Sequence, residues 1–179
     1  TYDEGVRDGT TAESLGELKS AFIAEGRVTA GNASTLSDGA SAILVVEANF
    51  ARQQGLDIIA LIEDYCTSGL APVQVMSAPI PAVNTLLERN NLSVEQVDIF
   101  EHNEAFAAAS CAVAKEVGIP DEKFNLHGGA VALGHPLGSS GSRCLITMLG
   151  VMRRVEASNG IVTLCLGGGN AVAMLVKRV

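Results

Sequence analysis

Apolar residues occur along this chain in short runs and helical stripes that alternate, and glycine, proline or polar turns separate them. Five stretches have the length and apolar character of strands: 42–46, 57–64, 97–101, 161–166 and 171–176. Helical spacing predicts helices over 48–54 and 82–89, through the Ala-rich segment up to Val117, and from Ser140 or Ser142 onward. The alternation of strands and helices predicts a layered α/β domain, with a mixed five-stranded sheet covered by helices.

The first 32 residues differ from the rest of the chain. They form a polar arm with one short helical pattern, in which Leu15, Leu18 and Phe22 keep helical spacing, followed by a stretch interrupted by glycines. We therefore predict a lead-in segment over 1–32 and a main domain over 33–179. The chain also begins at Thr1 without Met or signal-like composition, which predicts an internal start within a longer polypeptide.

Composition and charge exclude some classes of function. The sequence has 179 residues and is 47% hydrophobic, which is enough to bury one substantial core. A net charge of −8 is the wrong sign for a surface that must neutralise nucleic-acid phosphates, so we expect no nucleic-acid partner. Charged residues or glycines interrupt every apolar stretch before it is long enough to cross a bilayer. We accordingly expect a chain that is not in a membrane.

The cysteines indicate a reducing compartment. All four are scattered, without a CxxC pair or the spacing of a zinc site, at positions 66, 111, 144 and 165. We expect reduced thiols, no metal and a cytoplasmic location, and we leave mitochondrial or peroxisomal targeting open. The three glycines at 167–169 lie between two predicted strands instead of opening a helix, so a dinucleotide cofactor is not predicted.

The glycine-rich stretch 128–143 surrounds a single imidazole, that of His135. It contains five glycines, and such density lets backbone approach a ligand closely. Pro136 keeps His135 out of helical geometry, and Gly134 removes side-chain bulk behind it. A histidine held on such a turn suits a general base or a donor to an oxyanion. The alternative is a loop histidine that only makes a capping hydrogen bond.

Two more polar positions lie at the ends of predicted strands. Cys165 precedes the triple glycine, whose amides are suited to an oxyanion, and Asn103 follows the strand that ends at Glu101. Strand carboxyl ends gather at one edge of an α/β sheet, so we expect both residues near His135. The alternatives are a small buried hydrophobe for Cys165 and a turn former for Asn103. The other three cysteines favour a structural interpretation.

Together these segments resemble the thiolase family, specifically its C-terminal half. The resemblance is carried by NEAFA at 103–107, GGAVALGHPLGSSGSR at 128–143, CLGGG at 165–169, and GNAS at 31–34 followed by DGA at 38–40. These motifs occur in the family's order and extend over nearly the whole chain. The resemblance implies a thiolase-like C-terminal domain in an enzyme that catalyses thiolysis of 3-ketoacyl-coenzyme A, or the reverse Claisen condensation of acetyl-coenzyme A.

The resemblance also implies roles for individual residues. His135 would deprotonate the nucleophilic thiol and help to hold the thioester oxygen, and Asn103 would anchor a water in the same oxyanion hole. Cys165 would exchange the proton of the substrate α-carbon, and the Gly167 amide would contribute to a second oxyanion hole. The residues implied in substrate binding are Ala33, Ser34, Met76 and Phe106. Coenzyme A (CoA) thioesters would be substrates, and no resident cofactor is implied.

The departures from the family pattern limit these expectations. The nucleophilic Cys of the family lies in its N-terminal half, and none of the four cysteines here has a comparable setting. The chain would therefore need that half for catalysis, and the family also implies a homo-oligomer. Thr35, Ser37 and the pair Asn170-Ala171 replace residues that are usual in the motifs, which leaves the acyl chain length open.

Two alternative functions are compatible with parts of this pattern. A β-ketoacyl synthase would carry a second histidine in an NxHGT-like segment, and His127 does not supply that pattern. A non-catalytic thiolase-like partner subunit, or an acyl-CoA binding module, would keep the fold while another protein performs the chemistry. The presence of His135, Asn103 and Cys165 argues against a decayed site.

Overall fold

Four strands form one mixed sheet in the computed structural model, which describes residues 2–179. The strands are β1 (Ala60–Gly69), β2 (Ile99–His102), β3 (Asn159–Leu166) and β4 (Asn170–Arg178). Their order across the sheet is β1-β4-β3-β2. β2 pairs parallel to β3, while β4 runs antiparallel to both of its neighbours. The predicted α/β class and mixed sheet are therefore confirmed.

Six α-helices accompany the sheet within the described residues. They are α1 (Ala12–Gly16), α2 (Ala48–Gln53), α3 (Pro79–Arg89), α4 (Ala107–Val117), α5 (Ala130–Leu133) and α6 (Ser140–Val155). Short 3-10 turns cover Pro72–Ser77, Val94–Gln96 and Asp121–Lys123. α3 begins at Pro79, earlier than predicted, because its prolines lie in the first turn, where a missing N–H is tolerated. α4 ends at Val117 and is capped by Gly118, which takes the left-handed conformation with φ 82°.

The two faces of the sheet carry separate apolar clusters. Strand alternation directs Phe100 and Ile161 toward α3 and α4 on one face. It directs the neighbouring residues Ile99 and Val162 to the other face, where α6 packs on β2 and β3. This layering fixes the carboxyl ends of β2 and β3, from which the candidate site is built.

The predicted five-stranded sheet is wrong by one strand. Residues 42–46 are unpaired, irregular backbone in the structure, and Leu44 and Val45 are 80% and 66% exposed. A β-branched apolar run favours a strand, but a strand also needs a neighbour to satisfy its backbone groups, and within residues 2–179 nothing pairs with this run. The strand predicted over 57–64 begins three residues later and extends to Gly69.

The helices of the structure bear on the expectation that the chain is not in a membrane. No helix in the described part of the chain has both the length and the apolar character required to cross a bilayer. The longest, α6, spans 16 residues and has two arginines in its last turn.

Candidate active site

Asn103 and His135 meet at the carboxyl end of the sheet. Asn103 directly follows β2, and its backbone N–H donates to the Thr163 carbonyl at 3.2 Å, which extends the pairing with β3. Its side-chain Nδ2 lies 3.3 Å from His135 Nε2. The predicted convergence of these two residues is therefore present.

The hydrogen bonds around His135 fix which ring nitrogen carries the proton. His135 Nδ1 is 2.6 Å from Ser140 Oγ, and this hydroxyl donates to the Pro136 carbonyl at 3.0 Å. Because a hydroxyl has one proton, Ser140 must accept from Nδ1–H. Nε2 is then the unprotonated nitrogen, with its lone pair toward Asn103 Nδ2–H. This is the tautomer that a general base requires at Nε2.

The electrostatic surroundings keep the His135 ring neutral. Burial lowers the pKa of His135, and the positive charge of Arg143 lowers it further. A neutral imidazole is ready to accept a proton near pH 7, so both the tautomer and the protonation state suit a base.

Close backbone packing holds the His135 turn in place. The His135 N–H donates to the Thr35 carbonyl at 2.9 Å. Gly134 has φ 90°, and a Cβ there would overlap the Ser37 side chain. This contact and the positive φ explain why glycine is needed at position 134, and its expected role behind the imidazole stays a prediction.

The segment around Ala33 and Ser34 connects the other predicted residues to His135. Ala33 forms an antiparallel bridge with Phe106, and the Ser34 N–H donates to the Ala105 carbonyl at 3.0 Å. Leu36 then forms a parallel bridge with His135. The residues predicted to bind substrate on this side therefore lie in one short connected strip beside Asn103 and His135.

Cys165 lies near the end of β3, at the same edge of the sheet as Asn103. Thr163 is paired with His102, so Cys165, two residues further along β3, extends past the end of β2. Its Sγ is 4.0 Å from Met76 Sδ, which brings two more predicted residues together. Burial raises the pKa of the Cys165 thiol, so the protonated form is favoured at neutral pH.

The triple glycine forms the turn between β3 and β4. Gly168 and Gly169 have φ of 84° and 94°, and a Cβ at Gly169 would overlap the Leu70 carbonyl. Gly167 is the first residue of the turn, two residues after Cys165, with open space on its side-chain side. Gly167 therefore lies at the start of the turn that follows Cys165, and its role as an oxyanion amide stays a prediction.

The remaining cysteines differ in exposure. Cys66 is buried and donates from Sγ to the Ala82 carbonyl at 3.1 Å, while burial raises the pKa of Cys144 to about 12. Both have the environment expected of structural thiols. Cys111 differs, because it is exposed on α4 and is not a core residue.

Sequence reasoning did not assign a role to Arg143 and Glu101, which lie behind Asn103. Arg143 Nη2 donates to Asn103 Oδ1 at 2.7 Å, and Arg143 Nη1 lies 3.3 Å from Glu101 Oε1. Glu101 is 0% exposed within β2. The available signal was a carboxylate at the end of an apolar strand together with an arginine early in an amphipathic helix.

His102 is a core residue of β2 rather than a member of the site surface. It is 1% exposed, its Nδ1 lies 2.7 Å from Ser110 Oγ, and its ring stacks on Phe124. Burial lowers its pKa to about 4. The ring is consequently neutral at pH 7.

The burial of His102 predicts that the free energy of unfolding falls in acid. The unfolded chain, with a histidine pKa of 6.5, binds a proton more readily than the folded one, whose His102 pKa is about 4. The stabilisation is therefore complete above 6.5 and is lost as pH falls toward 4. Between pH 7.5 and pH 5 we expect His102 to account for a loss of about 2 kcal/mol in the free energy of unfolding. Urea denaturation should show this loss, and His102→Asn should abolish it.

Comparing the parent protein with His102→Asn separates the effect of His102 on the free energy of unfolding from that of Glu101, which depends on pH in the opposite direction. Burial raises the pKa of Glu101 from 4.5 to about 8, so its stabilisation is lost as pH rises through that range. Both proteins keep Glu101, and their difference isolates His102. The exposed His127 provides the matched control, His127→Asn, which should follow the parent protein. Equal acid losses in the parent and His102→Asn would contradict the prediction.

Two family models match most of this chain. The family model described as "Thiolase, C-terminal domain" matches residues 56–178, and that described as "Thiolase, N-terminal domain" matches residues 1–49. The chain thus includes a part that matches the N-terminal domain as well. The division predicted after residue 32 stays a prediction.

Relatives of known name match nearly the whole chain. An acetyl-CoA acetyltransferase of Pseudomonas aeruginosa is 47% identical over 98% of this chain, and one of Escherichia coli is 44% identical over 99%. The structure of the Bacillus anthracis acetyl-CoA acetyltransferase superposes with TM-score 0.94 at 40% identity over 99% of this chain. Human mitochondrial 3-ketoacyl-CoA thiolase in complex with CoA gives TM-score 0.93 at 37% identity, also over 99%. This chain spans 45% of the length of each of these four proteins.

Proposed function

This chain belongs to the thiolase family, and on that premise we propose that it supplies His135, Asn103 and Cys165 to an acyltransferase that exchanges acyl groups between carbon and CoA sulfur. The reaction is thiolysis of a 3-ketoacyl-CoA and, in reverse, condensation of acetyl-CoA. The observation that carries the proposal is the neutral His135, whose Nε2 lone pair faces Asn103 Nδ2 at 3.3 Å. We define the assembled enzyme as this chain together with a thiolase N-terminal half that contains the acyl-accepting Cys.

In the proposed reaction, His135 Nε2 removes the proton of the acyl-accepting thiol. The thiolate attacks the 3-keto carbonyl, and the bond between C2 and C3 breaks. The acyl group remains on sulfur as a thioester, while the electron pair of the broken bond becomes the enolate of acetyl-CoA. The Cys165 thiol donates its proton to that enolate carbon, and its raised pKa favours the protonated form that this step needs. The CoA sulfur then attacks the acyl-enzyme, and the acyl-accepting thiolate leaves, which releases acyl-CoA. The proton of the CoA thiol replaces the one that Cys165 gave to carbon, and the departing thiolate takes back the proton held by His135.

Oxyanion stabilisation explains why amide donors surround the reacting groups. Negative charge develops first on the keto oxygen and then on the enolate oxygen, and fixed donors stabilise such charge most when they are already oriented. Once His135 has taken the proton, Nε2–H becomes a donor beside Asn103 Nδ2–H. We assign Gly167 to the second oxyanion hole, because its turn position lies next to Cys165.

CoA thioesters are the substrates of this proposal and need no resident cofactor. Support comes from the human thiolase relative, whose structure is a complex with CoA. Ala33, Ser34 and Phe106 form the strip beside His135, and Met76 lies beside Cys165, so we assign these four residues to substrate binding. The net charge of −8 implies that the phosphates of CoA meet cations contributed largely from outside this chain.

The acyl-accepting cysteine is assigned to the N-terminal half. Burial raises the pKa of both Cys66 and Cys144, which suits neither as a nucleophile, and Cys111 projects from α4 at the surface. The exposed apolar run 42–46 has the composition of a buried strand, which supports the proposal that the N-terminal half packs against it. We also propose a homo-oligomer in a reducing, cytoplasmic compartment.

The test compares the isolated chain with the assembled enzyme in a thiolysis assay with acetoacetyl-CoA and CoA. We expect the assembled enzyme to turn over and the isolated chain to show less than about 10⁻³ of that rate, because it cannot form the acyl-enzyme. Alkylation before the assay should abolish the activity, and prior incubation with acetoacetyl-CoA should protect it.

The matched control is an assembled enzyme whose N-terminal half carries Ala in place of the acyl-accepting Cys. Substantial turnover by the isolated chain, or by this control, would contradict the proposal. A stably associated but inactive assembly would favour the alternative, a non-catalytic partner subunit.

A further inference from the structure

Arg143 reaches from α6 to the back of Asn103. Its Nη2 donates to Asn103 Oδ1 at 2.7 Å and approaches the Asn103 backbone carbonyl at 3.4 Å. The Cys144 thiol approaches the same Oδ1 at 3.5 Å. The oxygen end of the Asn103 amide is thus held by donors on the side away from His135.

These contacts determine how the amide is turned. With Oδ1 toward Arg143, the Nδ2 hydrogens point at the His135 Nε2 lone pair, and both ends are satisfied. A flipped amide would place its NH2 against the guanidinium and its oxygen against the Nε2 lone pair, so two favourable contacts would become two repulsive ones. A charge-assisted bond of 2.7 Å makes that flip costly.

Glu101 fixes the guanidinium from the other side. Its Oε1 lies 3.3 Å from Arg143 Nη1, and it is buried within β2, directly before the His102-Asn103 pair. Burial raises the pKa of this carboxyl, and the Arg143 charge acts in the opposite direction. A buried contact between a carboxyl and a guanidinium gives little net stability compared with apolar packing, so we explain this contact by the orientation that it gives Arg143.

We propose that Arg143, itself oriented by Glu101, is a positioning residue that holds the Asn103 amide with its N–H toward His135 Nε2 and the reacting oxygen. The inference rests on the proposed function and adds a residue to it. Within the site, the side-chain hydrogen bond of Arg143 is to Asn103, and its charge acts on His135 only as a secondary influence after burial. Loss of Arg143 should therefore reduce kcat while the affinity for CoA stays the same.

The test is a double-mutant cycle in the assembled enzyme, measured as kcat of acetoacetyl-CoA thiolysis. We expect Arg143→Met to lower kcat by about 10- to 100-fold, as expected for a misplaced catalytic group, and the KM for CoA to change by less than about twofold. In an Asn103→Ala background, the same substitution should cost less than about threefold, because the group that Arg143 positions is already gone. Arg143→Lys keeps the charge and one donor and should recover much of the loss.

Arg89→Met is the matched control, since Arg89 forms a surface ion pair with Asp64 at 2.9 Å, on α3. It should leave kcat within about twofold of the parent. Thermal unfolding of each variant separates misfolding from mispositioning, and the Arg143→Lys variant tests the proposal if Arg143→Met does not fold. Equal fold-losses from Arg143→Met in the parent and in the Asn103→Ala background would overturn the inference. A parent enzyme without thiolysis would instead overturn the proposed function.

Discussion

Replacing His135 by Asn in the assembled enzyme is expected to lower kcat of thiolysis by about 10³-fold, since a positioned general base contributes about 10² to 10⁴. The reason is specific to Nε2. In this structure it carries the lone pair because Nδ1–H donates to Ser140, and burial together with Arg143 lowers the ring pKa. Asn offers a donor and an acceptor of similar reach but cannot accept a full proton.

The loss should extend to the first half of the reaction. Formation of the acyl-enzyme from acetyl-CoA, followed by exchange with labelled CoA, needs an activated thiol but no proton transfer at carbon. Without His135, this exchange should fall about as much as thiolysis does. The exposed histidine variant His127→Asn is the matched control and should keep both rates. Normal exchange in His135→Asn would show that another group activates the thiol.

The parts of this site that the sequence predicts are those that depend on neighbouring residues in the chain or on the ends of strands. His135 stood out because Gly134 and Pro136 restrict the backbone on each side of it, and the structure shows Ser37 filling the space that Gly134 leaves. Cys165 and Asn103 are predictable because they lie at the ends of strands, and the parallel pairing of β2 with β3 places them at one edge of the sheet. These features depend on neighbours in sequence, or on a rule that applies to all such sheets.

The unpredicted parts depend on contacts distant in sequence. The bond between Arg143 and Asn103 joins residues 40 positions apart, and nothing in either local pattern specifies it. The burial of His102 likewise depends on Ser110 and Phe124, which lie further along the chain and enclose its ring. The prediction of a fifth strand over 42–46 is wrong for a related reason. An apolar run predicts burial, but the run becomes a strand only where another strand pairs with it.

Cys165→Ser is expected to separate the rate of thiolysis from the rate of acyl exchange more than any other substitution. Removing the thiol should lower kcat of thiolysis and condensation by about 10² to 10⁴, because a hydroxyl is far weaker than a thiol as an acid. The substitution changes one atom, so packing against Met76, now 4.0 Å from the sulfur, should be nearly kept. The exposed Cys111→Ser variant is the matched control and should leave both rates unchanged.

Acyl exchange should survive this substitution, because forming the acyl-enzyme from acetyl-CoA and returning it to CoA moves no proton at carbon. We expect the exchange rate of Cys165→Ser to stay within about threefold of the parent enzyme, while incorporation of deuterium at the acetyl methyl group falls with thiolysis. That split would distinguish a proton carrier at the α-carbon from a residue that shapes the pocket. If exchange and thiolysis fell together, Cys165 would be contributing to binding or to the position of the acyl-accepting thiol, and the proton at carbon would have to come from another group at this edge of the sheet.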